Sequence, residues 1–389
     1  MKTDVIIIGG GLVGLTMACC LGSNGIKVAI IEASDPKTQN HDRFDGRCSA
    51  IAPSSVEIFK SIKIWNKLEK HAGAIKEIYV TDNNSPVFLH FGKQETGGGA
   101  MGYMVENRFT RRALFEKLNS LKNVKLFAPN KYKKIEYGEK FVSVTLENKE
   151  KIEAKLLIAA DGRNSKIREQ AGIKIQSHDY KQNGIVCVIK HEKPHNGVAQ
   201  ERFLPAGPFA ILPMKDKYHS SLVWTEKSTI ASKFMEMNDE DFTAEVEKRF
   251  GKYLGKLQLA SQRWSYPLVL TFARKYTGKR MCLLGDSAHA IHPVAGQGLN
   301  LSWRDVKVLS EMIIETKNLG LDIGGQTVLS SYQALRRKDN IIMIAATDGL
   351  VKLFSNDSKV IGLIRDTGLA LVNKVPALKR RFVSHAMGK

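Results

Sequence analysis

Long apolar runs are missing from this sequence: no stretch approaches the ~20 consecutive apolar residues that a membrane-spanning helix needs. Cysteine is scarce, with five among 389 residues, and Cys19 and Cys20 sit side by side in a predicted helix. That pattern makes no disulfide framework and points to a reducing compartment. Acids are outnumbered, 39 Asp plus Glu against 59 Lys plus Arg, for a net charge of +20. Such an excess favours anionic partners: nucleic acid, acidic ligands or lipid headgroups. The lysines are scattered, which argues against nucleic acid and leaves an anionic membrane surface open. No secretory leader is expected, because "MKTDVIIIGGG" puts glycines straight after a short apolar run. The expected location is the cytoplasm, at most peripheral on the inner membrane.

What is present is ordinary globular composition, 43% hydrophobic and 25% charged, in a chain long enough for two or three domains. Residues 3–8 read as a buried strand, Leu12–Ser23 as a helix and Lys27–Ile31 as a second strand, a βαβ start. Asn107–Ser120 has helical periodicity, and alternating segments between Val124 and Ala159 read as strands. Residues 176–225 change character, with strand-like runs punctuated by Pro, Gly and Asn. From Gln297 onward the pattern is helical, including a long stretch from Leu329 to about Phe354. The expected architecture is α/β: a Rossmann-like dinucleotide-binding domain with an inserted, mostly antiparallel sheet and a helical C-terminus. Its boundaries are drawn at 1–75, 99–175 and 262–345 for the first domain, 76–98 and 176–261 for the insert, and 346–389 for the C-terminal segment.

Two glycine segments carry the chemistry. "IIIGGGLVG" supplies Gly9, Gly11 and Gly14 between the first strand and the first helix. Glycine there permits a tight turn, close approach of a pyrophosphate and close helix packing, and the helix N-terminus attracts the anion. Glu32 closes the second strand where a ribose-binding carboxylate is expected. "LLGDSAHAIHPVAGQGLN", 283–300, is the second segment. Asp286 at a strand end suits the ribityl hydroxyls of FAD, and a helix beginning near Gln297 would bring its positive end to the flavin. A metal reading of Asp286, His289 and His292 fares worse, because Pro293 pulls His292 off a shared helical face. "HEKPH" at 191–195 matches a zinc pattern formally, but Pro194 and Asn196-Gly197 argue for a turn. No resident metal is expected.

With these residues read, "HPVAGQGLNLSWRD" (292–305) resembles the signature segment of the ubiquinone-biosynthesis flavin hydroxylases (UbiH/VisC-like), within the group A aromatic hydroxylases. "FDGRCSAIAPSSVEIF", "GYMVENRFTRRALFEKL", "LLIAADGRNSKIREQAG" and "ERFLPAGPFAILPM" with "SSLVWT" extend the likeness over most of the chain. The resemblance implies a p-hydroxybenzoate hydroxylase-like fold and FAD contacts at Gly9, Gly11, Gly14, Glu32, Arg47, Arg111, Asp286, Gly298, Leu299 and Asn300. It also implies a structural and nicotinamide-related role for Asp161, and a loop from Pro293 through Gly296 to Asn300 beside the ring. Arg112 is an alternative to Arg111 as the inward-pointing arginine. Ser302 departs from the family's usual glycine.

The implied reaction is hydroxylation of a polyprenylated phenol through a flavin C4a-hydroperoxide, with O2 as co-substrate and NAD(P)H or a small electron carrier as reductant. The flavin does the chemistry, so no catalytic triad or acid pair is expected. Phe203, Phe209, Leu212 and Trp224 are candidate pocket residues, of which only those on one sheet face can serve. Rival readings are a hydroxylase of another aromatic, an isoprenoid reductase, and a non-catalytic scaffold associated with other ubiquinone-biosynthesis proteins. The last segment, with Lys374, Lys379, Arg380, Arg381 and Lys389 among apolar residues, is a candidate contact for an anionic membrane.

Overall fold

The computed structural model describes residues 1–39, 46–82, 88–92, 94, 97–354 and 387. Its N-terminal strand Val5–Ile8 is buried along its whole length, as an all-apolar "VIII" run demands. It pairs in parallel with Val28–Ile31 on one side and Leu156–Ala159 on the other. The six-stranded sheet continues to Val124–Phe127 at one edge and to Met281–Leu283 and Thr277–Gly278 at the other. Chain order therefore reverses at Val5–Ile8, and the crevice outside the strand ends there is where α/β sheets place ligands. Helix Leu12–Ser23 is buried without a break from Gly14 to Gly22, which explains its apolar sequence on every side. Cys19 and Cys20 fill that helix as small buried groups, and all five cysteines are free.

A second, nine-stranded sheet contains Ile175–His191, His219–Lys227, Gly207–Pro213 and Val198–Leu204 in antiparallel succession. One strand of this sheet differs from expectation. Strand Trp264–Ala273, assigned from sequence to the first domain, pairs with Ile175–His191 and belongs to this sheet. Glu77–Asp82 joins the other side, parallel to Val198–Leu204, and Phe88–Phe91 follows it. The sheet thus takes in the chain to residue 273, because ladder pairing and not loop composition sets its membership.

Helices Ser228–Glu236 and Asp239–Phe250 cover the outer face of this sheet. Phe209 and Trp224 point into that outer layer, with ring centroids 5.7 Å apart, packed among Ile185, Leu222, Phe234 and Phe242. Both are core residues and not pocket lining, a correction to the sequence expectation. Phe203 and Leu212 lie on the opposite face: Phe203 packs with Val294, and Leu212 against a cluster containing Met104 and Ala199. Alternation along each strand could not tell these faces apart, since both are buried.

Helix Gln297–Asn318 packs on Leu12–Ser23 and is followed by Gln326–Phe354. No helix among the described residues is long and apolar enough to cross a membrane. The basic tail at 374–389 lies outside the described residues except for Met387, whose carbonyl accepts the Ser54 N–H at 3.2 Å.

Candidate active site

The first wall of the site is the turn after Val5–Ile8. Gly9 has φ 109, and a Cβ there would collide with the Ala160 carbonyl. A Cβ on Gly14 would strike the Gly9 carbonyl, so the helix can seat against the turn only without one. At Gly11 a Cβ would meet nothing within 4 Å. Two glycines are thus fixed by packing, while the third faces open space of the kind a phosphate occupies. Helix Leu12–Ser23 has no side-chain cap and no acid in its first turn. Its free N–H groups could receive an anion. Glu32 accepts N–H groups from Gly10 at 2.6 Å and Ser34 at 2.7 Å, which holds its carboxylate over the glycine turn.

The second wall comes from strand Met281–Leu283 and the 3₁₀ turn Gly285–Ser287. The Ser287 hydroxyl donates to the Ala159 carbonyl at 2.6 Å and accepts the Leu284 N–H at 3.0 Å. This bond ties the ends of two neighbouring parallel strands together. Buried Arg168 adds a second clamp, donating to the Ser287 carbonyl at 2.8 Å and the Arg163 carbonyl at 2.9 Å. Sequence reasoning did not pick out either residue, though "SKIREQAG" contained Arg168. Asp286 itself is reached by solvent while protein crowds the cleft around it. That crowding raises its carboxyl above the ordinary value, against the pull of His289, Arg163 and Arg47.

Asp161 follows Leu156–Ala159 and lies against the Gly9 turn. One carboxylate oxygen accepts the Ile167 N–H at 3.3 Å, and the other is buried with no hydrogen-bond partner. Arg47 is exposed, its guanidinium 4.6 Å from the Tyr266 ring centroid. Arg111 and Arg112 are both half-buried on helix Asn107–Asn119. Arg112 is near enough to His71 to depress its basicity after burial and Glu106 have acted.

The third wall is the loop from His292 to Gly296. Gly296, with φ 62, turns the chain into helix Gln297–Asn318, whose N-terminus also lacks a side-chain cap and a first-turn acid. Asn300 is fully used as a strut. Its oxygen accepts the Ala52 N–H and the Ser55 hydroxyl, both at 2.9 Å, and its amide donates to Ala50 at 2.7 Å and Gly296 at 3.1 Å. Strand Cys48–Ile51 is thereby fastened to the loop. Gly298 and Leu299 are half-buried, and a Cβ on Gly298 would come no nearer than 3.9 Å to Ile291. Ser302 is buried against Gly285, its hydroxyl donating to the Gly298 carbonyl at 3.2 Å.

The three side chains of the metal alternative go separate ways. His289 binds Asp305 at 2.5 Å, His292 meets the Tyr180 ring, and Asp286 opens to the cleft. In "HEKPH", His191 bonds the Lys193 carbonyl and Ser220, while His195 bonds the Met214 and Asp216 carbonyls. Beside the site a cleft of about 740 Å³ opens between the sheets, lined by Cys48, Met104, Glu106, Met214 and Trp264 among others. Cys48 stands one repeat along the strand from Ala50, the residue facing Gly296.

A glycine cradle with open space at Gly11, a buried unpaired oxygen on Asp161 and two uncapped helix ends fit a long anionic dinucleotide with a polar ring edge. The family described as FAD binding domain matches residues 2–340. Fold and match together define an FAD-dependent monooxygenase, and FAD is its cofactor. The chain is 46% identical over 385 residues to the ubiquinone hydroxylase UbiL of Rhodospirillum rubrum, covering 99% of this chain and 89% of that protein. It is 32% identical to the 3-demethoxyubiquinol 3-hydroxylase of Escherichia coli, covering 99% and 98%. The chain belongs to the ubiquinone hydroxylase family. Its fold is also that of p-nitrophenol 4-monooxygenase from Pseudomonas putida, with a TM-score of 0.80 at 18% identity, covering 99% and 98% of the two chains.

Proposed function

We propose that this protein hydroxylates the aromatic ring of a polyprenylated phenol in ubiquinone biosynthesis, with FAD gripped between the Gly9 turn and the Asp286 turn. One observation carries the reading. Two glycine turns more than half the chain apart abut the two ends of the same short segment, Ala159–Asp161. Gly11 and the Leu12 helix end hold the pyrophosphate, Glu32 the ribose, and Arg47 and Arg111 neutralise the phosphates. Asp286 takes the ribityl hydroxyls, Asp161 supports the turn, and Pro293 with Gly298, Leu299 and Asn300 lies along the ring. When bound and reduced by NAD(P)H or a small electron carrier, FAD supplies the activation of O2.

The chain's own task is to orient the phenol and exclude water. Phe203, Leu89, Val294 and Val351 form a buried apolar cluster beside the loop, which supports a dry pocket. Leu335, Ile342 and Leu350 are exposed on helix Gln326–Phe354, and with the +20 charge they support contact with an anionic membrane. The deciding experiment supplies FAD-loaded protein with reductant, oxygen and a panel of prenylated phenols, with mass spectrometry of the products. A gain of one oxygen on the ring is expected. Hydrogen peroxide as the sole product with every phenol would sink the reading.

A further inference from the structure

His292 is a residue of the Pro293 loop whose hydrogen-bonding capacity the fold leaves unspent. Its side chain is 1% exposed, yet neither ring nitrogen has a hydrogen-bond partner. The other buried histidines, His191, His195 and His289, are all bonded. Buried polar groups without partners are uncommon in folded proteins, and a catalytic or binding role is one explanation for them.

The surroundings are built around this ring. Tyr180 meets it edge-on, with centroids 5.0 Å apart and planes at 85°. Tyr180 reaches that position through a bulge, because the register with Trp264–Ala273 slips between Asp179 and Gln182 and Lys181 has φ 56. The Tyr180 hydroxyl is already committed, donating to Asp348 at 3.0 Å. The side chains of Val294, Phe203, Leu89 and Val351, the cluster against which Tyr180 packs, offer only carbon. Burial pushes the His292 imidazole down to about 4, with Asp348 opposing, so the ring is neutral near pH 7 and keeps an acceptor nitrogen.

We propose that His292 is the partner of the substrate's ring hydroxyl: its free nitrogen accepts the phenolic O–H and fixes which ring edge faces the cofactor. Accepting that proton's hydrogen bond also pushes electron density into the ring, which favours attack on an electrophilic oxygen. The inference rests on the hydroxylase reading above and goes one residue further. It concerns a side chain that the sequence raises individually only as a discounted metal ligand.

The test uses the FAD-loaded full chain, with 2-geranylphenol and its methyl ether titrated against the flavin absorbance band. Wild type is expected to bind the phenol at least about tenfold tighter than the ether, since a site built to pair a hydroxyl rejects its absence. His292→Phe and His292→Leu are expected to bind the two alike while retaining flavin, and His292→Gln to recover part of the preference. The recovered preference should bring a smaller share of reductant lost as hydrogen peroxide. An undiminished preference in a flavin-loaded Phe or Leu variant overturns the proposal. Loss of flavin from all three variants would make His292 structural and overturn it as well. Failure of wild type to bind either compound would instead strike the hydroxylase reading, and this inference with it.

Discussion

His289 and Asp305 face each other at 2.5 Å with both side chains out of contact with solvent, 1% and 0% exposed. Arg336 donates to the other oxygen of Asp305 at 2.7 Å, and Asn340 joins Arg336 to the Tyr276 hydroxyl. The histidine of the Gly-Asp turn is thus fixed from two helices that follow it in the chain.

Removing the charge from this centre leaves buried Arg336 with Asp339, at 2.7 Å, as its remaining carboxylate and takes the ion partner from buried His289, and breaking a fully buried pair costs up to about 3–5 kcal/mol. Asp305→Asn is therefore expected to lower the urea midpoint sharply and to release FAD. Burial pushes the Asp305 carboxyl up, but His289 and Arg336 outweigh it and hold it below the ordinary value. A depressed carboxyl stabilises the fold above its unfolded value and loses that contribution on acidification. Wild-type stability should fall as pH drops below about 4, and the Asn variant should show a flatter acid limb.

The glycine turn yields a paired prediction. Gly14→Ala drives a methyl into the Gly9 carbonyl and should reduce both stability and flavin content. Gly11→Ala meets no protein atom, so its melting temperature without cofactor should match wild type. Its FAD affinity should nevertheless fall at least about tenfold, the signature of a methyl placed where pyrophosphate approaches. Equal FAD affinity in Gly11→Ala and wild type would contradict the cradle.

Asn300→Ala strands the Ala52 N–H, the Ser55 hydroxyl and the Ala50 carbonyl in a buried place. Each orphaned group costs about 1–3 kcal/mol. Chemical denaturation should show a loss at the upper end of single-substitution effects, and the freed strand Cys48–Ile51 should weaken flavin retention.

Trp224 and Phe203 separate core from pocket. Trp224→Ala should cost about 3–5 kcal/mol of stability without altering the ratio of hydroxylated product to hydrogen peroxide. Phe203→Ala, on the face toward Val294, should raise the peroxide share at a smaller stability loss. Product ratios measured at equal flavin content decide it.

These four sites also mark what the residues alone disclosed. Gly9, Gly11, Gly14 and the Gly285-Asp286 turn were legible because a glycine motif is local and its backbone demand is written in consecutive residues. Asn300, Arg168 and the His289–Asp305–Arg336 set were not legible as struts, since each bonds a partner distant in sequence. The face that Trp224 takes was not legible because its strand is buried on both faces, so alternation fixes parity and not direction. The strand Trp264–Ala273 escaped its sheet for a related reason: nothing in its composition names the ladder it joins.

The reach of Arg336 and Asn340 back to Asp305 also bears on how the protein is made. A ribosome delivers the Gly9 turn first, and only after residue 340 has emerged can the Gly-Asp turn be locked. At roughly 5–20 residues per second that interval is on the order of tens of seconds. Cofactor capture during synthesis therefore waits on nearly the whole message, and a chain cut short before its last described helix is a flavin-free product for the cell's proteases.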